Sequence, residues 1–195
     1  MAGFSAWNGK AASYEGIATK IKQTGADGVF LGGLICENGG KLIKDLRAGL
    51  GSGVKLLAPD GFTPISAVVQ GAGAASEAMT VSVAGQPNEN LGSVGKKFVK
   101  DFGATQSSGQ VDPYSSYAAQ AAEVLLTAIQ NSDGTRASVA DQLFKTNVSN
   151  SILGSFKINQ DGDTNANPVT IYSIKGGKQT TLKVITPPTS LVKAA

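Results

Sequence analysis

Histidine is absent from these 195 residues. That absence removes Ser-His-Asp and Cys-His nucleophilic systems, HExxH zinc sites and imidazole acid-base chemistry in one step. Cysteine occurs once, as Cys36, so there is neither an internal disulfide nor a cysteine-rich metal motif. Aromatic residues make up only 6% of the chain, which suits helix-on-sheet layers better than a β-sandwich. The net charge of +3 is dispersed over single lysines such as Lys10, Lys44, Lys100 and Lys183. No basic run is interleaved with aromatics, and the sequence carries no nucleic-acid footprint. No apolar run approaches the ~20 residues of a membrane-spanning helix. Met1 to Lys10 has no basic region followed by an apolar one, so no signal peptide is read there.

Glycine and alanine are plentiful, and the apolar residues fall into alternating periods. Tyr14, Ile17, Ala18 and Ile21 recur at helical spacing, Gly25 stops that helix, and Gly28-Val29-Phe30-Leu31 reads as a buried strand. After the Gly32-Gly33 pair a second helix carries Leu42, Ile43, Leu46 and Leu50, and Val54 to Ala58 is the next strand. Pro59-Asp60-Gly61 is a turn, a short helix runs around Ile65 to Gln70, and Met79 to Val83 is a third strand. Leu91, Val94, Phe98 and Phe102 mark an amphipathic helix. Asp112-Pro113 breaks the chain before an alanine-rich helix from Ser115 to Asn131, and Ser138 has the character of an N-cap for one more. Beyond Asn147 the period is strand-like, with Phe156 and Ile158 alternating. Val169 to Ile174 and Thr181 to Val184 flank the hairpin turn Lys175-Gly176-Gly177-Lys178.

Strands alternating with helices predict an α/β fold, a parallel sheet with helices on both faces. Ligands of such sheets bind beyond the carboxyl ends of the strands, which here are the segments Gly32 to Glu37 and Pro59 to Phe62. Asp60 is either a turn aspartate or a carboxylate facing an α-ammonium group. Gly32 and Gly33 either bring backbone amides close to a ligand carboxylate or only permit the turn. Cys36, without a histidine partner, is expected to be a small buried hydrophobe and not a nucleophile. Tyr114 and Tyr117 offer an aromatic wall or core packing.

Three apparent motifs fail on context. Gly71-Ala72-Gly73-Ala74-Ala75-Ser76 precedes a strand, where a dinucleotide fingerprint follows one. Asp161, Asp163 and Asn165 imitate a calcium loop, but Ala166 replaces its glycine and Tyr172 its glutamate. Asn147-Val148-Ser149 fits a glycosylation sequon without further support. No catalytic residue, metal site or cofactor is expected.

The run Lys20-Ile21-Lys22-Gln23-Thr24-Gly25-Ala26-Asp27-Gly28-Val29-Phe30-Leu31-Gly32-Gly33 resembles the helix-turn-strand signature of the Leu/Ile/Val-binding proteins of ABC importers. The resemblance continues through Leu57 to Gly61, Pro113 to Ala119, and Gly154-Ser155-Phe156 with Asn159 to Asp163. It implies the C-terminal part of a two-lobed type I periplasmic-binding fold that closes on its ligand by hinge motion. Residues 1–112 would form most of the second lobe, 113–165 would return to the first, and 166–195 would hold the return strands and tail.

By the same resemblance Asp60 matches the acidic partner of the ligand ammonium. Leu34 matches the pocket residue after the glycine pair, where the family's common aromatic is absent, and Tyr114 falls near the aromatic contacts at the hinge. The implied function is capture of a branched-chain or aliphatic amino acid, without enzymatic chemistry. The implied partner is an ABC permease in the membrane, the location periplasmic or extracellular, and the complete protein a monomer. The alternatives are an amino-acid or amide sensor of the same fold, and a small α/β enzyme using an acidic dyad or a Ser-Lys pair.

Overall fold

The computed structural model describes residues 1–107, 109 and 111–188. Helix α1 spans Glu15–Thr24 and ends where foreseen: Gly25 takes the left-handed conformation (φ 67°) and its N–H returns to the Lys22 carbonyl. Strand β1 (Gly28–Phe30), helix α2 (Gly39–Leu50), strand β2 (Lys55–Ala58), helix α3 (Ile65–Ala72) and strand β3 (Thr80–Ala84) follow in the expected order. Helices α4 (Ser93–Gly103), α5 (Pro113–Gln130) and α6 (Arg136–Phe144) come next, then strands β4 (Asn147–Ser151), β5 (Gly154–Lys157), β6 (Val169–Lys175) and β7 (Lys178–Ile185). The described residues form two compact units, one of residues 1–83 with 170–183, the other of 84–169 with 184–188.

The five-stranded sheet runs β1-β2-β3-β6-β7. Its first pairs are parallel, with Val29 opposite Leu56 and Leu57 opposite Thr80. In the first unit α1 packs on α2 and α2 on α3. Leu42, Ile43 and Leu46 of α2 are fully buried, as are Leu56, Phe62, Val68 and Val81. Each such side chain contributes about 1.5–3 kcal/mol of burial. One strand departs from expectation: Phe30 is 63% exposed, on the side of the neighbouring strand β2 that turns Lys55 and Leu57 outward while Leu56 and Ala58 are buried, Leu57 being opposite Phe30.

Polar anchors fix this unit at three points. The Asp45 carboxylate on α2 is buried, accepts the Tyr14 N–H at 2.8 Å and pairs with Lys41 at 2.6 and 2.7 Å. Arg47, one turn before the end of α2, donates to the carbonyls of Val54 at 2.8 Å and Gly51 at 3.1 Å. The hairpin between β6 and β7 turns on Gly176 and Gly177 (φ 59° and 69°), a pair that L side chains adopt poorly. The Gly176 N–H donates to the Glu77 carboxylate at 3.0 Å.

The second unit holds the antiparallel pair β4-β5 and the packed helices α5 and α6. Its core includes Leu91, Ala128, Ile152 and Phe156. Two helix starts differ from the sequence reading. Helix α5 begins at Pro113, because the Asp112 carboxylate accepts the Tyr114 N–H and proline suits the first helical position. The cap of α6 is Thr135, whose hydroxyl accepts the N–H of Ser138; Ser138 lies within the helix. Strand β5 ends at Lys157, and Ile158 donates to Thr146 just beyond it.

Burial pushes the Asp45 carboxyl upward, but the Lys41 hydrogen bond, the Tyr14 N–H and the lysine charge outweigh it and leave the group below its ordinary range. A depressed folded value means stability that is present above the ordinary carboxylate range and lost as pH falls through the folded value. Asp45→Ala, which strands the Tyr14 N–H, is expected to cost about 1–3 kcal/mol at neutral pH. In denaturant unfolding the gap between variant and parent should narrow toward acid pH, and a gap that does not change with pH would contradict this account.

Candidate functional site

The carboxyl ends of β1 and β2 continue into two loops that are zipped together. Leu31 N donates to Leu57 O at 2.7 Å, extending the sheet by one rung, and Ile35 N donates to Gly61 O at 2.8 Å. Between these rungs the backbones touch: a Cβ on Gly61 would lie 2.2 Å from the Gly33 carbonyl oxygen and 2.8 Å from Leu34 Cδ2. Glycine is required at 61 by this approach.

The expected site residues distribute as follows. Gly33 and Leu34 stand at the apex of the β1 loop, and Leu34 is 49% exposed. Asp60 is exposed and opens the 3-10 turn Asp60–Phe62. Its carbonyl accepts the N–H and hydroxyl of Thr63 at 2.9 and 2.6 Å, and the Thr63-Pro64 peptide that follows is cis. The Ile35–Gly61 rung and the Gly61–Gly33 contact thus join Gly33, Leu34 and the turn that bears Asp60 into one surface. A groove of about 510 Å³ opens beside it, lined by Leu34, Cys36 and Gly61 together with Thr63, Pro64 and Ala67 at the start of α3. Cys36 is exposed there and not buried as expected, because it falls in the loop before α2.

Tyr114 belongs to the second unit, as the second residue of α5. Its ring meets Tyr117 edge-on, centroids 6.4 Å apart at 83°. Tyr117 serves packing: its hydroxyl accepts the Gln86 N–H at 2.8 Å, and its ring fills the space a side chain at Gly85 would need. Burial raises the Tyr117 phenol, with the Gln86 hydrogen bond acting in the opposite direction.

One residue at the loops was not singled out in the sequence. A Cβ on Gly33 would fall 2.6 Å from Trp7 Cζ2 and 3.0 Å from its Cε2 and Nε1. The indole therefore lies against the Gly33 backbone. Tyr14 holds it edge-on, centroids 6.0 Å apart at 77°. The Tyr14 hydroxyl donates to Asn8 O at 2.7 Å, and Asn38 Nδ2 donates to Ala11 O at 3.2 Å. The available signal was that this is the sole tryptophan of the sequence.

The discarded motifs have structural settings of their own, and Gly71, the first residue of one of them, also lines the groove. Gly71 to Ser76 ends α3 and forms the 3-10 turn Gly73–Ser76 ahead of β3. The Asn159 carboxamide accepts the N–H groups of Asp161 and Asp163, an Asx-turn arrangement. Asn147 and Ser149 lie on β4.

Gly61→Ala, which drives a methyl group into the Gly33 carbonyl, is expected to destabilise the chain by about 1–3 kcal/mol. Gly16→Ala in α1, where a methyl group meets nothing within 4 Å, should stabilise it by roughly 0.5–1 kcal/mol. Denaturant unfolding of both variants checks the pair, and equal effects would sink the interlock.

No curated protein sequence matches this one. Solved structures do. The leucine-binding protein LivK of Thermotoga maritima superposes with a TM-score of 0.78 at 23% identity over 91% of this chain and 50% of its own. The branched-chain amino acid substrate-binding protein LivJ of Streptococcus pneumoniae, in complex with isoleucine, gives 0.69 at 20% identity over 94% and 51%. An ABC-transporter solute-binding protein of R. palustris, in complex with 4-hydroxybenzoate, gives 0.72 at 17% identity over 97% and 54%. The chain thus spans about half the length of the structures it matches and has the type I periplasmic-binding fold. The family profile described as "Periplasmic binding protein" matches residues 6–179, and on that ground the chain belongs to the periplasmic binding protein family.

Proposed function

We propose that this chain is the ligand-capturing part of an extracytoplasmic solute-binding protein, one that takes a branched-chain or aliphatic amino acid for an ABC importer. The observation that supports the reading is the pair of interlocked loops at the carboxyl ends of β1 and β2, in which Gly61, the residue after exposed Asp60, lies against Gly33 and half-exposed Leu34. Strand ends in parallel sheets are where ligands settle. An aspartate there pairs with an ammonium group. The Gly33 backbone admits the close approach of a small ligand, and Leu34 offers its side chain an apolar contact. Tyr114 is assigned to the aromatic ligand contacts of the second unit. The lobe assignment that goes with this reading runs 1–112, 113–165 and 166–195, and the loaded protein would dock on a membrane permease. Binding of this kind makes and breaks no covalent bond, so it is compatible with a chain that lacks histidine.

A second reading, capture of an aromatic carboxylate, is favoured by the R. palustris relative bound to 4-hydroxybenzoate. Such a ligand has no ammonium group to meet Asp60, so the two readings differ in one measurable way.

A thermal melt of the purified chain with leucine, isoleucine, valine, phenylalanine, benzoate and 4-hydroxybenzoate separates them. At a ligand excess of ~100-fold over the dissociation constant, binding adds roughly 2.7 kcal/mol, or roughly 5–10 °C in Tm for a chain of this size. A shift with the aliphatic amino acids that disappears in Asp60→Asn supports the proposal. A shift with the benzoates alone supports the second reading, and no shift with any compound refutes both.

A further inference from the structure

We propose that Trp7 forms the apolar wall of the ligand site, its indole meeting the side chain of the bound amino acid beside Leu34. The inference rests on the reading of the β1 and β2 loops as the amino-acid site, and it adds the residue that sets side-chain preference. Three observations lead to it. First, the indole is seated at the apex itself, against Gly33, whose neighbour Leu34 in turn touches Gly61. Trp7 and Gly61 thus both lie against Gly33, and Leu34 Cδ2 lies beside Gly61.

Second, glycine at 33 is explained by the indole. Gly33 is not among the residues with positive φ, so its turn does not demand glycine. What a side chain there would meet is the Trp7 ring, at 2.6 Å. Third, Trp7 is held in place while remaining half-buried. The Tyr14 ring braces it edge-on, and Tyr14 is itself tied to Asn8 through its hydroxyl and to the Asp45 carboxylate through its N–H. A rigid aromatic surface loses little conformational freedom when a ligand packs on it. A large flat indole also favours ring-bearing side chains through stacking, in addition to aliphatic ones.

The test uses the whole chain and its only tryptophan. Calorimetric titration with leucine and with phenylalanine is carried out on the parent, Trp7→Phe and Trp7→Ala. Acrylamide quenching of the parent's fluorescence is measured with and without each amino acid. Trp7→Ala is expected to weaken binding of both by about tenfold or more, with the greater loss for phenylalanine, while Trp7→Phe stays within about threefold of the parent. Bound ligand should shield the parent's indole from acrylamide, a readout that a merely structural tryptophan would not give and that stands even if Trp7→Ala fails to fold. Binding by the parent with unchanged quenching and unchanged affinity in Trp7→Phe and Trp7→Ala would overturn the role of Trp7 and leave the site reading intact. A parent that binds neither amino acid would overturn both.

Discussion

The first unit depends on one close approach, that of the Gly61 backbone to the Gly33 carbonyl. The two loops can run this near each other only because Gly61 carries no side chain at the contact. Once they do, the sheet's hydrogen bonding is carried past the strand ends, through Leu31 to Leu57 and Ile35 to Gly61. The consequence for the site is rigidity. Asp60, Gly33 and Leu34 stand on segments that share these rungs, so their relative placement follows from backbone geometry. Loops that are free to move independently would not offer a small ligand a prepared surface, and ordering them would subtract from affinity.

Around this contact the polar groups do the fastening. Asp45 satisfies the Tyr14 N–H from inside α2, and Arg47 closes the carbonyls at the other end of the same helix. Glu77 receives the N–H of Gly176 at the β6-β7 hairpin. Each such bond adds only about 0.5–1.5 kcal/mol net, more where a charge takes part, but leaving a buried partner such as the Tyr14 N–H unsatisfied costs more than that. These anchors therefore specify arrangement, while the bulk of the favourable energy comes from buried side chains such as Leu42, Ile43, Leu56 and Phe62. Among the described residues no buried side-chain nitrogen or oxygen lacks a partner.

Much of the fold was legible from periodicity because the helices α1 to α4 and the strands β1 to β3 carry strong apolar patterns bounded by glycine. The misreadings share a cause. Ser138 and Thr135 are both acceptable caps by residue type, and only the geometry of the first turn of α6 selects Thr135. Phe30 is apolar in an apolar run, yet it shares the outward side of the sheet with Leu57, its partner on β2, and both are exposed. Cys36 is a hydrophobe by default, yet a loop position before α2 leaves it open to solvent. In each case local chemistry offers two outcomes and packing chooses.

What the amino-acid sequence determined by itself was the order of elements, the parallel α/β class, the exclusion of histidine and internal disulfide chemistry, and the two loop segments that follow the first two strands. These follow from composition and from periods of two and 3.6, which are local properties. The tertiary structure alone decided that Gly61 lies on Gly33 beside Leu34, and that Trp7, 26 residues before Gly33 in the sequence, is laid against Gly33. Contacts between segments distant along the chain leave no period in the sequence, and a single tryptophan has none to show.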